Sequence, residues 1–200
     1  MSAGAAAGFS ARLVRWQQAH GRHGLPWQGT RDPYRVWLSE IMLQQTQVSA
    51  VLGYYDRFLE RFPGVASLAA APLDAVLGLW SGLGYYSRAR NLHRCAQLVV
   101  SQHGGSFPAE AVQLQALPGI GRSTAAAIAA FCFGERVSIL DGNVRRVLTR
   151  LLAFESDLAQ AASERVLLAQ AQALVPRQAA RMPAYTQGLM DLGATVCLPR

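Results

Sequence analysis

Two carboxylates and a glycine turn carry most of the chemistry legible in this chain. Leu117-Pro-Gly-Ile-Gly-Arg-Ser-Thr-Ala places Gly119 and Gly121 just ahead of a helix-forming run, and Asp141 follows Gly121 by 20 residues. Glycines let a backbone turn sharply and come close to a ligand. The free N–H groups and positive dipole end of the next helix favour an anion such as phosphate. Asp141 stands where a helix carrying Val144, Val147, Leu148, Leu151 and Leu152 should begin, so capping alone accounts for it as well as catalysis does. The second carboxylate, Glu40, lies in Asp32-Pro-Tyr-Arg-Val-Trp-Leu-Ser-Glu-Ile-Met-Leu-Gln-Gln-Thr. Asp32 as cap and Pro33 as first helical residue open a helix bearing Val36, Trp37, Ile41, Met42 and Leu43, with Gln44 one turn beyond Glu40 on the same face. Desolvation by such neighbours should raise the pKa of Glu40, whereas backbone N–H donors at a cap should lower that of Asp141. Two carboxylates separated in this way make an acid and an anion. Taken alone, a Glu40 that reaches the surface or pairs with an Arg is the commoner outcome, because Glu is seldom fully buried.

The elements that must position these groups read as helix after helix. Helices are predicted near 9–20, 33–46, 48–60, 65–69, 73–80, 85–102, 110–115, 122–133, 143–153, 161–174 and 183–193. Pro63-Gly64, Gly82, Gly84, Gly104-Gly105, Pro108, Pro118-Gly119 and Pro176 break them. No strand pattern competes, and the fold class is all-α. The Ala- and Gln-rich stretch from Ala161 still spaces Val166, Leu167 and Leu174 as an amphipathic helix does. At 51% apolar residues, 200 residues can bury one or two cores. No run of 18 apolar residues suggests a membrane span. The start, Met1-Ser-Ala-Gly-Ala-Ala-Ala-Gly, has no acid before Asp32 and only a faint resemblance to a transit peptide, so an intracellular protein is expected.

Six segments, in order, carry a stronger signal: Leu25-Pro-Trp-Gln, Trp37-Leu-Ser-Glu-Ile-Met-Leu-Gln-Gln-Thr-Gln, Gly82-Leu-Gly-Tyr-Tyr-Ser-Arg-Ala-Arg-Asn-Leu, the glycine hairpin, Leu140-Asp-Gly-Asn-Val-Arg-Arg and Met190-Asp-Leu-Gly-Ala. Together they resemble the adenine DNA glycosylases of the MutY type, in the helix-hairpin-helix DNA glycosylase superfamily, from about residue 9 to the end. The resemblance implies a six-helix barrel over residues 28–138, a terminal helical domain from 1–27 and 139–200, and a cleft between them. It implies a monomer in the bacterial cytoplasm or nucleoid, acting on double-stranded DNA at adenine mispaired with 8-oxoguanine or guanine. By the same resemblance Glu40 protonates the adenine and Asp141 stabilises the cationic sugar, as paired carboxylates do in glycoside hydrolysis. Arg22, Ser123 and Asn143 match pocket positions. Gln44 and Tyr85 match residues that enter the base stack as the target flips out. Gly119, Gly121, Arg122 and Thr124 match the phosphate-holding hairpin, where a monovalent cation is also implied. A related glycosylase for thymine or uracil opposite guanine, or a catalytically silent DNA-binding module, are the alternatives.

Charge agrees with a polyanionic partner: the formal net charge is +7, and all 19 basic residues are Arg. A lyase that cuts the strand attacks the sugar with an amine, which Arg cannot supply, and Arg122 is followed by Ser123 where related bifunctional enzymes such as endonuclease III carry a Lys. A monofunctional enzyme is therefore expected. Arg145 and Arg146 fit phosphate contacts and solvated positions equally well. Cys95 and Cys132 read as core thiols. Cys197 matches the first of four ligands to a 4Fe-4S cluster that the resemblance implies, but three ligands have no counterpart up to Arg200, so the chain should not complete the cluster. The stretch after Leu192 is accordingly expected to fray and to expose Cys197.

Overall fold

The computed structural model describes residues 3–199, and side chains from residue 8 onward. Met1, Ser2 and Arg200 lie outside the described residues, as does most of the side-chain pattern behind the transit-peptide comparison. The helices are α1 (Ala3–His20), α2 (Pro33–Leu43), α3 (Val48–Arg61), α4 (Val65–Ala70), α5 (Leu73–Trp80), α6 (Ser87–His103), α7 (Ala111–Leu114), α8 (Arg122–Ile128), α9 (Gly142–Leu151), α10 (Ala161–Ala173) and α11 (Met182–Thr195). A π-helical segment, Ala129–Phe133, continues α8, and a short 3-10 turn, Ala179–Arg181, leads into α11. No strand occurs among the described residues.

Local chemistry sets several ends. Asp32 Oδ1 accepts from the Tyr34 N–H at 2.9 Å with Pro33 as first helical residue, and Asp141 Oδ1 accepts from the Val144 N–H at 2.7 Å. α2 stops at Leu43, three residues short of the sequence expectation, because Gln44 turns extended and Gln45 takes a left-handed φ of 56°. Gln44 therefore leaves the helical face it was expected to share with Glu40.

Buried side chains form two clusters. The first gathers Tyr34, Trp37, Tyr55, Phe58, Leu68, Trp80 and Leu92 from α2 to α6. The second gathers Phe9, Leu13 and Val14 of α1 with Ile139, Val144, Leu148, Leu167, Tyr185 and Leu189. Each fully buried large aliphatic or aromatic side chain contributes roughly 1.5–3 kcal/mol. Helix α8 and its π continuation lie between the clusters, with Ala125, Ile128 and Ala129 in the first and Ala126, Ala127 and Ala130 in the second. Alanines on both faces let one helix serve two cores. α1 and α11 approach closely at Gly188, where an added Cβ would sit 3.1 Å from the Leu13 and Gln17 side chains. In α10 the buried residues are Leu167 and Ala171; Val166, expected on the apolar face, is exposed.

Candidate active site

Where the two clusters meet, a cavity of about 440 Å³ opens. Its wall takes Gln17 from α1, the Arg22–Arg31 loop, Val36, Ser39, Glu40 and Leu43 from α2, and Pro183, Ala184, Gln187 and Met190 from α11. Glu40 borders it with Val36, Trp37, Ile41 and Met42 buried around the same helix. Burial, reinforced by the nearby charge of Asp141, pushes the Glu40 carboxyl up from 4.5 to about 8. It holds its proton at neutral pH, as the apolar segment led one to expect.

Asp141 departs from expectation. Its carboxylate caps α9 and accepts backbone N–H bonds from Asn143 and Val144, and Arg146 favours its charge, yet its pKa is raised rather than lowered. Burial outweighs the cap. The Asp141 charge is in turn one of the causes, after burial, that raise Glu40.

Arg22 reaches the cavity wall and is held there by Asp191, a residue without exposed surface. The Arg22 Nε donates to Asp191 Oδ1 at 2.7 Å and its backbone N–H to Oδ2 at 3.0 Å, while Gln187 Nε2 donates to Oδ1 at 2.8 Å. Gly21 has no room for a side chain here, since a Cβ would lie 2.9 Å from Asp191 Oδ2. Asp191 lies inside the motif Met190-Asp-Leu-Gly-Ala, and its role there is visible only in the folded chain. The available signal was an acid in the otherwise apolar run Gly188-Leu-Met-Asp-Leu-Gly.

Two pocket residues are not on the cavity wall. Asn143 sits instead between α9 and α11: its Oδ1 accepts from Arg146 Nη2 at 2.8 Å, and an added Cβ at Gly193 would fall 2.7 Å from its own Cβ. Ser123 lies half-buried in the first turn of α8, outside the residues that line the cavity. Gly119 has φ 75°, and a Cβ there would meet Asn91 at 2.8 Å, so the turn requires glycine; Gly121 caps α8 facing open space. Thr124 is buried, with its Oγ1 accepting from Gln44 Nε2 at 3.4 Å. Arg122 is exposed and flanks a second, open groove with Arg165. Tyr85 is 60% exposed with φ 46°, a tip rather than a core ring.

The terminal segment is anchored, contrary to expectation. Arg146 donates to the carbonyls of Gly193 and Cys197 at 2.6 Å each, and Arg150 Nη1 donates to Cys197 Sγ at 3.0 Å and to the Leu198 carbonyl at 2.9 Å. Arg145 pairs with Glu164 at 2.6 Å in a half-exposed ion pair, so Arg145 and Arg146 both have partners within the chain. Cys197 is half-buried; Cys95 and Cys132 belong to the other cluster, where burial pushes their thiols up to about 12. A four-iron cluster takes four thiolates, and among the described residues no three His, Cys, Asp or Glu gather as ligands, so they do not fit such a group.

A two-glycine hairpin packed against a helical body, with a carboxyl of raised pKa on a cavity wall and a helix-capping carboxylate, off that wall, whose charge it feels, defines a helix-hairpin-helix protein of the kind that operates on nucleic acid. The chain belongs to the HhH-GPD superfamily of base excision DNA repair proteins, whose family model matches residues 38–172. It is similar to the adenine DNA glycosylase of Buchnera aphidicola subsp. Baizongia pistaciae, 42% identical over 190 residues, covering 95% of this chain and 53% of that protein. It is also similar to the adenine DNA glycosylase of Homo sapiens, 43% identical over 201 residues, covering 96% of this chain and 36% of that one. The solved structure of a thermostable thymine-DNA glycosylase matches with a TM-score of 0.83 at 27% identity, covering 98% of this chain and 88% of that chain. The chain thus spans about half the length of the Buchnera relative and just over a third of the human one. Among the described residues no helix is long and apolar enough to cross a membrane.

Proposed function

We propose that this chain is the catalytic region of a monofunctional adenine DNA glycosylase, acting in the bacterial cytoplasm or nucleoid on adenine mispaired with 8-oxoguanine or guanine in double-stranded DNA. The observation that carries the reading is Glu40, a carboxyl held at about 8 on the wall of the cavity, with Asp141 capping α9 close enough for its charge to be felt. Likeness to adenine DNA glycosylases over nearly the whole chain supports the base. The two clusters support a barrel over residues 28–138 and a terminal unit from 1–27 and 139–200 that share α8, although Leu25 and Trp27 pack with the first cluster.

In this reading the flipped adenine enters the cavity and Glu40 gives a proton to the purine ring. The bond between the sugar C1′ and the base nitrogen then breaks, its electron pair leaving with the neutral adenine. Asp141, ionised, stabilises the cationic sugar until water adds its oxygen to C1′ and loses a proton to solvent. Arg22, fixed by Asp191, places donors on the cavity wall for the base. Hairpin amides at Gly119, Gly121 and Ser123 hold a phosphate, and Gln44 and Tyr85 fill the gap left in the stack. No Lys occurs in the 200 residues to form an imine with the opened sugar.

The thymine-DNA glycosylase match favours a second reading, release of thymine opposite guanine. Base release from duplexes carrying adenine opposite 8-oxoguanine, adenine opposite guanine, thymine opposite guanine and uracil opposite guanine separates the two. Adenine release well above the other bases is expected; preferred thymine or uracil release transfers the chain to the second reading, and no release from any duplex removes the enzymatic one.

A further inference from the structure

We propose that Arg88 is a positioning residue whose single buried guanidinium clamps the Gln44–Thr46 and Leu83–Tyr85 loops together, so that Gln44 and Tyr85 meet the duplex as one rigid wedge. What the wedge does rests on the glycosylase reading above; the clamp itself rests on geometry. Arg88 stands in the first turn of α6 and is only 8% exposed. Its Nη1 donates to the carbonyls of Ile41, Met42 and Gln44 at 3.0, 2.8 and 2.6 Å. Its Nη2 donates to Thr46 Oγ1 at 3.1 Å and to the carbonyls of Leu83 and Gly84 at 3.2 and 3.4 Å. The guanidinium also lies 5.3 Å from the Trp80 ring and 5.5 Å from the Tyr85 ring.

Every one of these partners is uncharged, and no carboxylate pairs with Arg88 among the described residues. A cation buried against carbonyl dipoles alone is expensive to desolvate, and burial lowers its pKa. A helix-ending role would need only the Ile41 and Met42 carbonyls at the end of α2, and the Gln44 N–H already donates to the first of these at 3.4 Å. Four of the six acceptors, on Gln44, Thr46, Leu83 and Gly84, belong instead to the two tips. Each tip also holds a non-glycine residue in the left-handed region, Gln45 at φ 56° and Tyr85 at φ 46°, and each is adjacent to a carbonyl that Arg88 grips. Such conformations persist only where surrounding contacts over-determine them. A planar fork with donors on both ends can bridge two loops; an ammonium, as a point charge, cannot reach both sets of acceptors.

The test uses the full 200-residue chain as wild type, Arg88→Lys and Thr46→Val, the last keeping the charge and removing one acceptor. Two duplexes are compared, one with adenine paired opposite 8-oxoguanine and one with the same adenine unpaired in a single-base bulge, which is easier to flip. At saturating protein, Arg88→Lys should slow single-turnover release roughly tenfold or more on the paired adenine and at most about twofold on the bulge, because an unpaired base needs the wedge least. Thr46→Val should show the same split at smaller size, and 2-aminopurine beside the target should lose its fluorescence rise on binding. Equal losses on both duplexes, or no loss on the paired adenine, would overturn the clamp. If Arg88→Lys fails to fold by thermal melt, Thr46→Val decides by the same two outcomes. If the wild type releases no adenine from either duplex, the glycosylase reading fails, and the 2-aminopurine signal, which needs no chemistry, still judges the clamp.

Discussion

Replacing Glu40 by Gln should silence base release and, at alkaline pH, leave the protein more stable than the wild type. Burial and the Asp141 charge hold the Glu40 carboxyl at about 8 in the fold, against 4.5 ordinarily. Between those values the native chain keeps a proton that the unfolded chain has surrendered. Stability from Glu40 is therefore fully present below pH 4.5, falls as pH rises, and is lost once pH passes about 8. A gap of about 3.5 pH units at about 1.4 kcal/mol each sets a ceiling near 5 kcal/mol. The head borders an open cavity, and solvent there reduces the effect to roughly 2–3 kcal/mol. Gln does not titrate, so the melting temperature of Glu40→Gln minus that of the wild type should be near zero at pH 5 and grow to roughly 4–10 °C by pH 9 for a chain of this size. Thermal unfolding across pH 5 to 9 at constant ionic strength measures it. A difference that stays flat over that range would refute the desolvated carboxyl, and with it the proton donor. In single-turnover kinetics the wild-type rate should decline as pH rises through about 8, while Glu40→Gln loses roughly a hundred- to ten-thousand-fold.

Asp141→Asn should lose chemistry with little change in melting, since Asn caps a helix as well as Asp, whereas Asp141→Ala should also cost about 1 kcal/mol; an active Asp141→Asn would reduce the residue to its cap. Asp191→Ala leaves the Arg22 guanidinium and backbone N–H and the Gln187 amide without their acceptor, and should destabilise by about 3 kcal/mol in denaturant unfolding while weakening base release. Asp191→Asn, which keeps one acceptor oxygen, should recover part of both, and full activity in the Ala variant would detach Arg22 from the site. Borohydride should trap no covalent complex with an abasic duplex once the N-terminal amine is blocked, and strand scission should need added alkali; efficient trapping would contradict a monofunctional enzyme.

By itself the sequence determined what short-range chemistry controls. Asp32-Pro33 and Asp141 could only open helices, the Pro and Gly breaks fell between them, and an all-helical body with a glycine hairpin followed. The direction of the Glu40 shift was legible for the same reason, because the residues beside it on its own helix are apolar and buried. Tertiary structure decided wherever distant segments competed with a local rule. The cap on Asp141 is local, but its burial outweighs the cap. α2 ended early where Gln44 turns extended and Gln45 goes left-handed, beside carbonyls that take up the guanidinium of Arg88, 44 residues beyond Gln44. Arg145 and Arg146 fitted phosphate contacts and solvated positions equally well until Glu164 claimed the first and the Gly193 and Cys197 carbonyls the second; Arg146, together with Arg150, is also why Cys197 is held rather than frayed. Asp191 had no local cue to its partner, since Arg22 lies 169 residues away and only the packing of α1 against α11 brings the two together. Local propensity acts over a helical turn, whereas burial and long-range hydrogen bonds are sums over every element that arrives at a point, and only the folded chain fixes which elements those are.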